Sequence, residues 1–102
     1  MNREQIIATL RAHESDLRAA GVLSLSLFGS AARGGNTGDS DIDVAVRLAE
    51  SFSQPGFDYF SRLDDLRSRL TKVLDCNVDV VEEPVRKKRL QESIDMDRAL
   101  AF

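Results

Sequence analysis

Residues 23–46 read LSLSLFGSAARGGNTGDSDIDVAV, and the fold turns on this stretch. Leu23, Leu25 and Leu27 alternate with Ser24 and Ser26, which predicts a strand ending at Phe28. Ile42, Val44, Val46 and Leu48 alternate again and predict a second strand. Between them lie Gly29-Ser30, which can open a short helix, and Gly34-Gly35-Asn36-Thr37-Gly38, a loop. A connection of about a dozen residues leaves open whether the two strands run parallel or antiparallel.

Outward from this centre the periods change. Upstream, Ile6, Ile7, Leu10 and Leu17 make a helical stripe over residues 3–19, with Gly21 as its stop. Downstream, Ser53-Gln54-Pro55-Gly56 reads as a turn. From Phe57 a long amphipathic helix follows, with Phe60, Leu63, Leu66, Leu70, Val73 and Leu74 stepping by three and four. Val78-Asp79-Val80-Val81 predicts a third strand. Pro84 can occupy the first position of a last helix, with Leu90, Ile94 and Leu100 inward. The expected order is α-β-α-β-α-β-α, a small α/β (α+β) fold with a short sheet flanked by helices.

Composition narrows the function classes. The chain has 102 residues, 42% hydrophobic and 30% charged, which suits one globular domain spanning 1–102 and excludes a collagen, a coiled-coil rod or a disordered tail. At this size about two-thirds of the extended surface is buried, enough for one modest core. A net charge of −3 argues against a generally basic nucleic-acid coat. Cys76 stands alone, so an internal disulfide and a cysteine-ligated zinc site are both excluded, and a reducing cytosol fits. No apolar run approaches a membrane span, and the charged start MNREQIIATLRAHE does not read as a signal peptide.

The chemistry gathers in the same central stretch. Asp41 and Asp43 are two apart, so on a strand their carboxylates share a face, opposite Ile42, Val44 and Val46. Two like charges this close need something positive between them, and Mg²⁺, which takes a few carboxylates plus waters and phosphate oxygens, supplies it. Asp79 lies inside an apolar strand, on the face opposite Val78 and Val80. If the second and third strands are neighbours, Asp79 joins the pair, and three carboxylates around two cations suit in-line attack at phosphorus. Gly29 and Ser30 supply backbone N–H groups and a hydroxyl at a turn, a place where phosphate binds, and Arg33 is near enough to neutralise its charge.

Gly29-Ser30, then Asp41-Ile42-Asp43, then Asp79 between valines resembles the signature of the DNA polymerase beta nucleotidyltransferase superfamily. More narrowly, LFGSAARGGNTGDSDIDVAV resembles the minimal nucleotidyltransferases, the MntA-like antitoxins that pair with HEPN toxins. The likeness covers nearly the whole chain. It implies a mixed sheet, Mg²⁺ on Asp41, Asp43 and Asp79, and the β- and γ-phosphates on Gly29 and Ser30. It implies that Asp79 also helps deprotonate the attacking hydroxyl. One departure is Ala31, where many relatives carry Arg.

On that resemblance the expected activity is transfer of a nucleoside monophosphate, AMP from ATP, to a hydroxyl of a partner protein, with two Mg²⁺ ions. The chain has almost no residues left over for an acceptor site, so the expected acceptor is a separate HEPN-type toxin and the expected role an antitoxin in the cytoplasm. Membrane and direct nucleic-acid binding are not expected, and a homo-oligomer stays open. The alternatives are a non-catalytic module that occludes such a toxin, and an aminoglycoside-type small-molecule nucleotidyltransferase.

Other residues carry plainer readings. Arg86-Lys87-Lys88-Arg89 is the only basic run, a solvated helix face before it is an RNA or acidic-partner patch. His13 has no second histidine and reads as a surface residue. Cys76 reads as a small, partly buried side chain. Tyr59, Phe57 and Phe60 read as core or interface, and Leu100 and Phe102 on the last helix as a candidate interface.

Overall fold

A computed structural model describes residues 2–34, 41–53 and 59–102. Helix α1 (Arg3–Ala12) opens on a capping box: the Gln5 N–H donates to Asn2 Oδ1 (2.8 Å), and the Asn2 N–H donates to Gln5 Oε1 (2.9 Å). Helix α2 (Glu14–Ala19) follows directly. The single helix expected over 3–19 is therefore two. His13 sits between them at φ −105°, ψ 10°, and its ring Nδ1 lies 2.9 Å from the Thr9 carbonyl oxygen. Both helices still bury the predicted stripe: Ile6, Leu10 and Leu17 are fully buried. Gly21 ends the pair at φ +106°, where a side chain would also meet the Phe52 ring.

Strand β1 (Val22–Phe28) leads into the one-turn helix α3 (Gly29–Ala32), and strand β2 (Ile42–Leu48) returns antiparallel to β1. This settles the orientation that the connection left open. A 3₁₀ turn (Glu50–Ser53) and helix α4 (Tyr59–Leu74) carry the chain across to strand β3 (Val78–Glu82), which runs parallel to β2. Helix α5 (Lys88–Asp97) and strand β4 (Ala99–Leu100) close the chain. The sheet is mixed, in the order β3-β2-β1-β4.

Three expectations at the C-terminal end are corrected. Pro84 does not open the last helix; the helix begins at Lys88. The Glu83 N–H still donates to the Val46 carbonyl at the sheet and the side chain of Glu83 is held by Gln91 and Arg98, so the chain leaves the sheet late. A fourth strand was not foreseen: α5 stops at Asp97, Arg98 turns to φ −47°, ψ 123°, and Ala99–Leu100 pairs antiparallel with Ser26 and Leu27. Leu100, expected inward on a helix, is 55% exposed on this strand; Ala101 is the buried residue there. Phe102 is half-buried under the Arg18 guanidinium.

Side chains divide between the two faces of the sheet. One face, with Leu25, Leu27, Ile42, Val44, Val46 and Val78, packs on α1, α2 and α4 through Ile6, Leu10, Leu17, Leu66, Leu70 and Leu74. The other is smaller: Phe28 and Ala45 pack on Ile94 of α5, with Val81, Val85 and Leu90 around them. Phe60, placed by its spacing on the α4 stripe, is instead 76% exposed. It falls a turn before Leu63, at the rim of an open cavity against Val80 of β3. The expected turn at 54–56, Phe57 and the loop residues 35–38 lie outside the described residues.

Candidate active site

The antiparallel and parallel pairings bring three separate segments to one end of the α5 face. Phe28, the last residue of β1, is the register partner of Asp43, and Asp43 is the register partner of Asp79 across the parallel pair. Asp41 lies just before β2, on the same face as Asp43 by alternation. The neighbour relation between β2 and β3 that the three-carboxylate reading required is thus present. Asp41 and Asp79 are exposed and Asp43 is half-buried.

Gly29 is pressed against this group. Its φ is +70°, and a β-carbon built on it would stand 2.6 Å from Asp43 Oδ2. Only hydrogen fits there, so the turn from β1 into α3 passes directly over the Asp43 carboxylate. Ser30, half-buried, begins the same turn, which closes through Arg33 N–H to the Gly29 carbonyl (3.2 Å) and Gly34 N–H to the Ala31 carbonyl (3.3 Å). Ala31 is buried in the larger core at 1% exposure. That site has room for a methyl group, whereas an arginine there would have to leave the core.

The electrostatics are those of a site short of positive charge. Asp43 has its pKa raised, first by burial, then by the charges of Asp79 and of Asp41, with Arg33 pulling the other way. Arg33 is exposed and donates through Nη1 to Asp97 Oδ2 (2.5 Å), so it bridges the glycine turn to the end of α5. Among the described residues no group of three His, Cys, Asp or Glu side chains is placed, as it stands, to hold a metal ion by itself. An open, under-neutralised carboxylate set fits a hard divalent cation that completes its shell with water and phosphate oxygens.

The sequence reading missed the supports of this site. Arg98 donates to Ser26 Oγ (3.1 Å), to both carboxylate oxygens of Glu83 and to Asp95, and Gln91 donates to Glu83 (2.7 Å) while accepting from the Val85 N–H (2.8 Å). Ser26 and Glu83 are buried, and the Arg98 hydrogen bonds hold the Glu83 carboxyl below its usual range. This network fixes α5 on the sheet at the end of β3 opposite Asp79. Asp97 was also missed as the partner of Arg33. Neither has a local signal, because the partners that tie these residues to the sheet and the glycine turn, Ser26 and Glu83 for Arg98 and Arg33 for Asp97, are distant in sequence. The basic run Arg86–Arg89 is exposed, as expected, but lies before and in the first turn of α5, at the end of that helix away from Asp97. Burial raises the pKa of the half-buried Cys76 thiol, and the charges of Asp75 and Asp41 push the same way.

Residues 8–101 match the family described as the nucleotidyltransferase domain. This chain belongs to that family. As a nucleotidyltransferase it has relatives of nearly its own length: two Methanocaldococcus jannaschii proteins, provisionally named protein adenylyltransferases, are 34% and 30% identical over 88% of this chain and 92% of theirs. The solved structure of a provisionally assigned minimal nucleotidyltransferase superposes with a TM-score of 0.75 at 28% identity, covering 97% of this chain and 95% of that one. A chain of a toxin–antitoxin complex solved with AMP-PNP superposes with a TM-score of 0.68 at 26% identity, over 100% of this chain and 73% of that one. The mixed sheet flanked by helices is the fold of these minimal nucleotidyltransferases.

Proposed function

We propose that this nucleotidyltransferase moves AMP from ATP onto a hydroxyl of a partner protein, as a single cytoplasmic domain and as the antitoxin to a HEPN-type toxin. The observation that carries the reading is the Asp43–Asp79 pairing directly beneath Gly29, with Asp41 beside it. The names of the M. jannaschii relatives support adenylyl transfer to protein, and the toxin–antitoxin complex solved with AMP-PNP supports the partner and the nucleotide. Among the described residues no helix is long and apolar enough to cross a membrane.

Asp41, Asp43 and Asp79 would hold Mg²⁺, two ions in this reading, whose positive charge would offset the carboxylates and polarise the α-phosphate. Gly29 keeps the turn low enough for phosphate oxygens to reach main-chain N–H groups, and the Ser30 hydroxyl donates to them. Arg33 exchanges part of its bond to Asp97 for the phosphates. Asp79 takes the proton of the acceptor hydroxyl. The acceptor oxygen bonds to the α-phosphorus, the bond to the β-phosphate oxygen breaks, and pyrophosphate leaves. Catalysis is mostly positioning and charge neutralisation.

The test is Mg²⁺-dependent transfer of label from α-labelled ATP to a co-expressed partner. Wild type is compared with Asp41→Ala/Asp43→Ala. Labelling by wild type alone is the expected result. Neutralisation of the partner by both forms without labelling would replace this reading by occlusion, and labelling of free aminoglycosides would replace it by small-molecule transfer.

A further inference from the structure

Among the described residues strand β3, which carries Asp79, is the last strand on its side of the sheet. The Asn77 carbonyl accepts from the Ile42 N–H and the Glu83 N–H donates to the Val46 carbonyl, so odd-numbered backbone groups of β3 face inward to β2. Those of Val78, Val80 and Glu82 therefore face outward. Side chains alternate on the other axis. Asp79 and Val81 point to the α5 face, while Val78, Val80 and Glu82 point to the α4 face. Against Val80 on that face is a cavity of about 160 Å³, lined by Phe60, Leu63, Asp64 and Arg67, with room for one apolar side chain.

The charge along this edge is one-sided. Asp79 and Glu82 are both exposed. Glu82 accepts from the Tyr59 hydroxyl, whose pKa is pushed up to about 12, first by burial and then by that hydrogen bond. Asp64 is already paired with Arg67.

We propose that the acceptor enters as an extended polypeptide segment that adds a strand to the outer edge of β3, seating an apolar side chain in the Val80–Leu63 cavity and presenting the adjacent residue's hydroxyl to Asp79. This deepens the protein-modification reading above and rests on it. Alternation dictates the pattern. The residue opposite Val80 lies on the α4 face and fills the cavity, so its immediate neighbour, opposite Asp79, lies on the α5 face with the acids. Two positions beyond the apolar residue, opposite Glu82, a basic side chain meets that exposed carboxylate. The chosen hydroxyl is the one with an apolar neighbour on one side and a lysine or arginine three residues away on that same side. Transfer leaves AMP on that oxygen, its proton on Asp79 and pyrophosphate released.

The probes are glycine-flanked synthetic peptides containing Tyr-Leu-Gly-Lys, its reverse order, and Tyr-Gly-Leu-Lys, in which the leucine is moved to the wrong face. Binding to the whole chain is read from amide shifts without nucleotide, and transfer from α-labelled ATP. A matched peptide, in one strand direction or the other, should perturb the amides of Val78, Val80 and Glu82 and take label, with the displaced-leucine peptide at least about tenfold poorer. Leu63→Lys should raise the matched peptide's KM about tenfold and change kcat little. Val80→Pro, which removes an outward N–H from an edge strand, should abolish the shifts. Glu82→Lys should transfer preference to a peptide ending in glutamate. Shifts at these amides without label transfer would support the docking edge and overturn only the transfer reading. Absence of those shifts, equal use of the displaced-leucine peptide, or unchanged binding by Val80→Pro would overturn the proposal.

Discussion

The two faces of the sheet are built on opposite principles. The α1/α2/α4 face is dry: leucines, isoleucines and valines from six elements interlock, and its stability is area removed from water. The α5 face has only a small apolar cluster, and the rest is charge. At one end the Glu83–Arg98–Ser26 network holds the helix, and at the other the acids crowd one another beside Gly29. The first face stabilises enough to let the second carry groups that do not stabilise. That division makes the two faces fail differently.

The largest effect is expected at the acids. Asp43→Asn should lower transfer at least about a hundredfold. In metal-free protein the same change should raise Tm, because the ionised Asp43 carboxylate is crowded by Asp79 and Asp41 and an amide removes that repulsion. A fall in Tm would mean that the acids are not under strain without a cation. Gly29→Ala should also collapse activity, by pushing the Asp43 carboxylate aside, and calorimetry should show a smaller change in stability than in rate. On the dry face the expectation reverses: Leu70→Ala costs about 2–5 kcal/mol in denaturant unfolding, with kcat intact in the fraction that stays folded.

Between these extremes lies the α5 network. Arg98→Ala should cost about 2 kcal/mol, since it leaves the Glu83 carboxylate buried with only Gln91. The pH dependence follows the same bond. The pKa of Glu83 is depressed in the fold, so its stabilisation is present above the unfolded value of about 4.3 and is lost as pH falls through the folded value. Wild type should lose stability through that acid range, and Arg98→Ala should lose less there. Smallest of all, Arg89→Glu in the first turn of α5 should gain about 0.5 kcal/mol from the helix dipole. A gain there, with transfer unchanged, would separate the basic run from the site.

What was legible in the sequence follows the same division. Alternation at Leu23–Phe28 and Ile42–Leu48 and the leucine spacing of α4 are local periods imposed by the dry face, and they gave the elements. Gly29-Ser30, Asp41, Asp43 and Asp79 were legible because each breaks its local pattern: carboxylates within apolar strands, a glycine at a strand's end. The hidden features answer to distant partners. Strand β4 is two residues held by β1, the late start of α5 follows from Glu83 gripping Arg98 and Gln91, and Arg33 turns toward Asp97 because α5 ends there. The break at His13 is a single residue's backbone angles inside an unbroken apolar stripe.

Because β2 and β3 are parallel neighbours, the chain must return along the sheet through α4 before Asp79 can stand beside Asp43. No local hairpin or single helix contains the site. The contact is non-local and forms only when the crossover has docked. Activity therefore reports on cooperativity: thermal inactivation should track the undocking of α4, and a nick within that helix should silence acids it never touches.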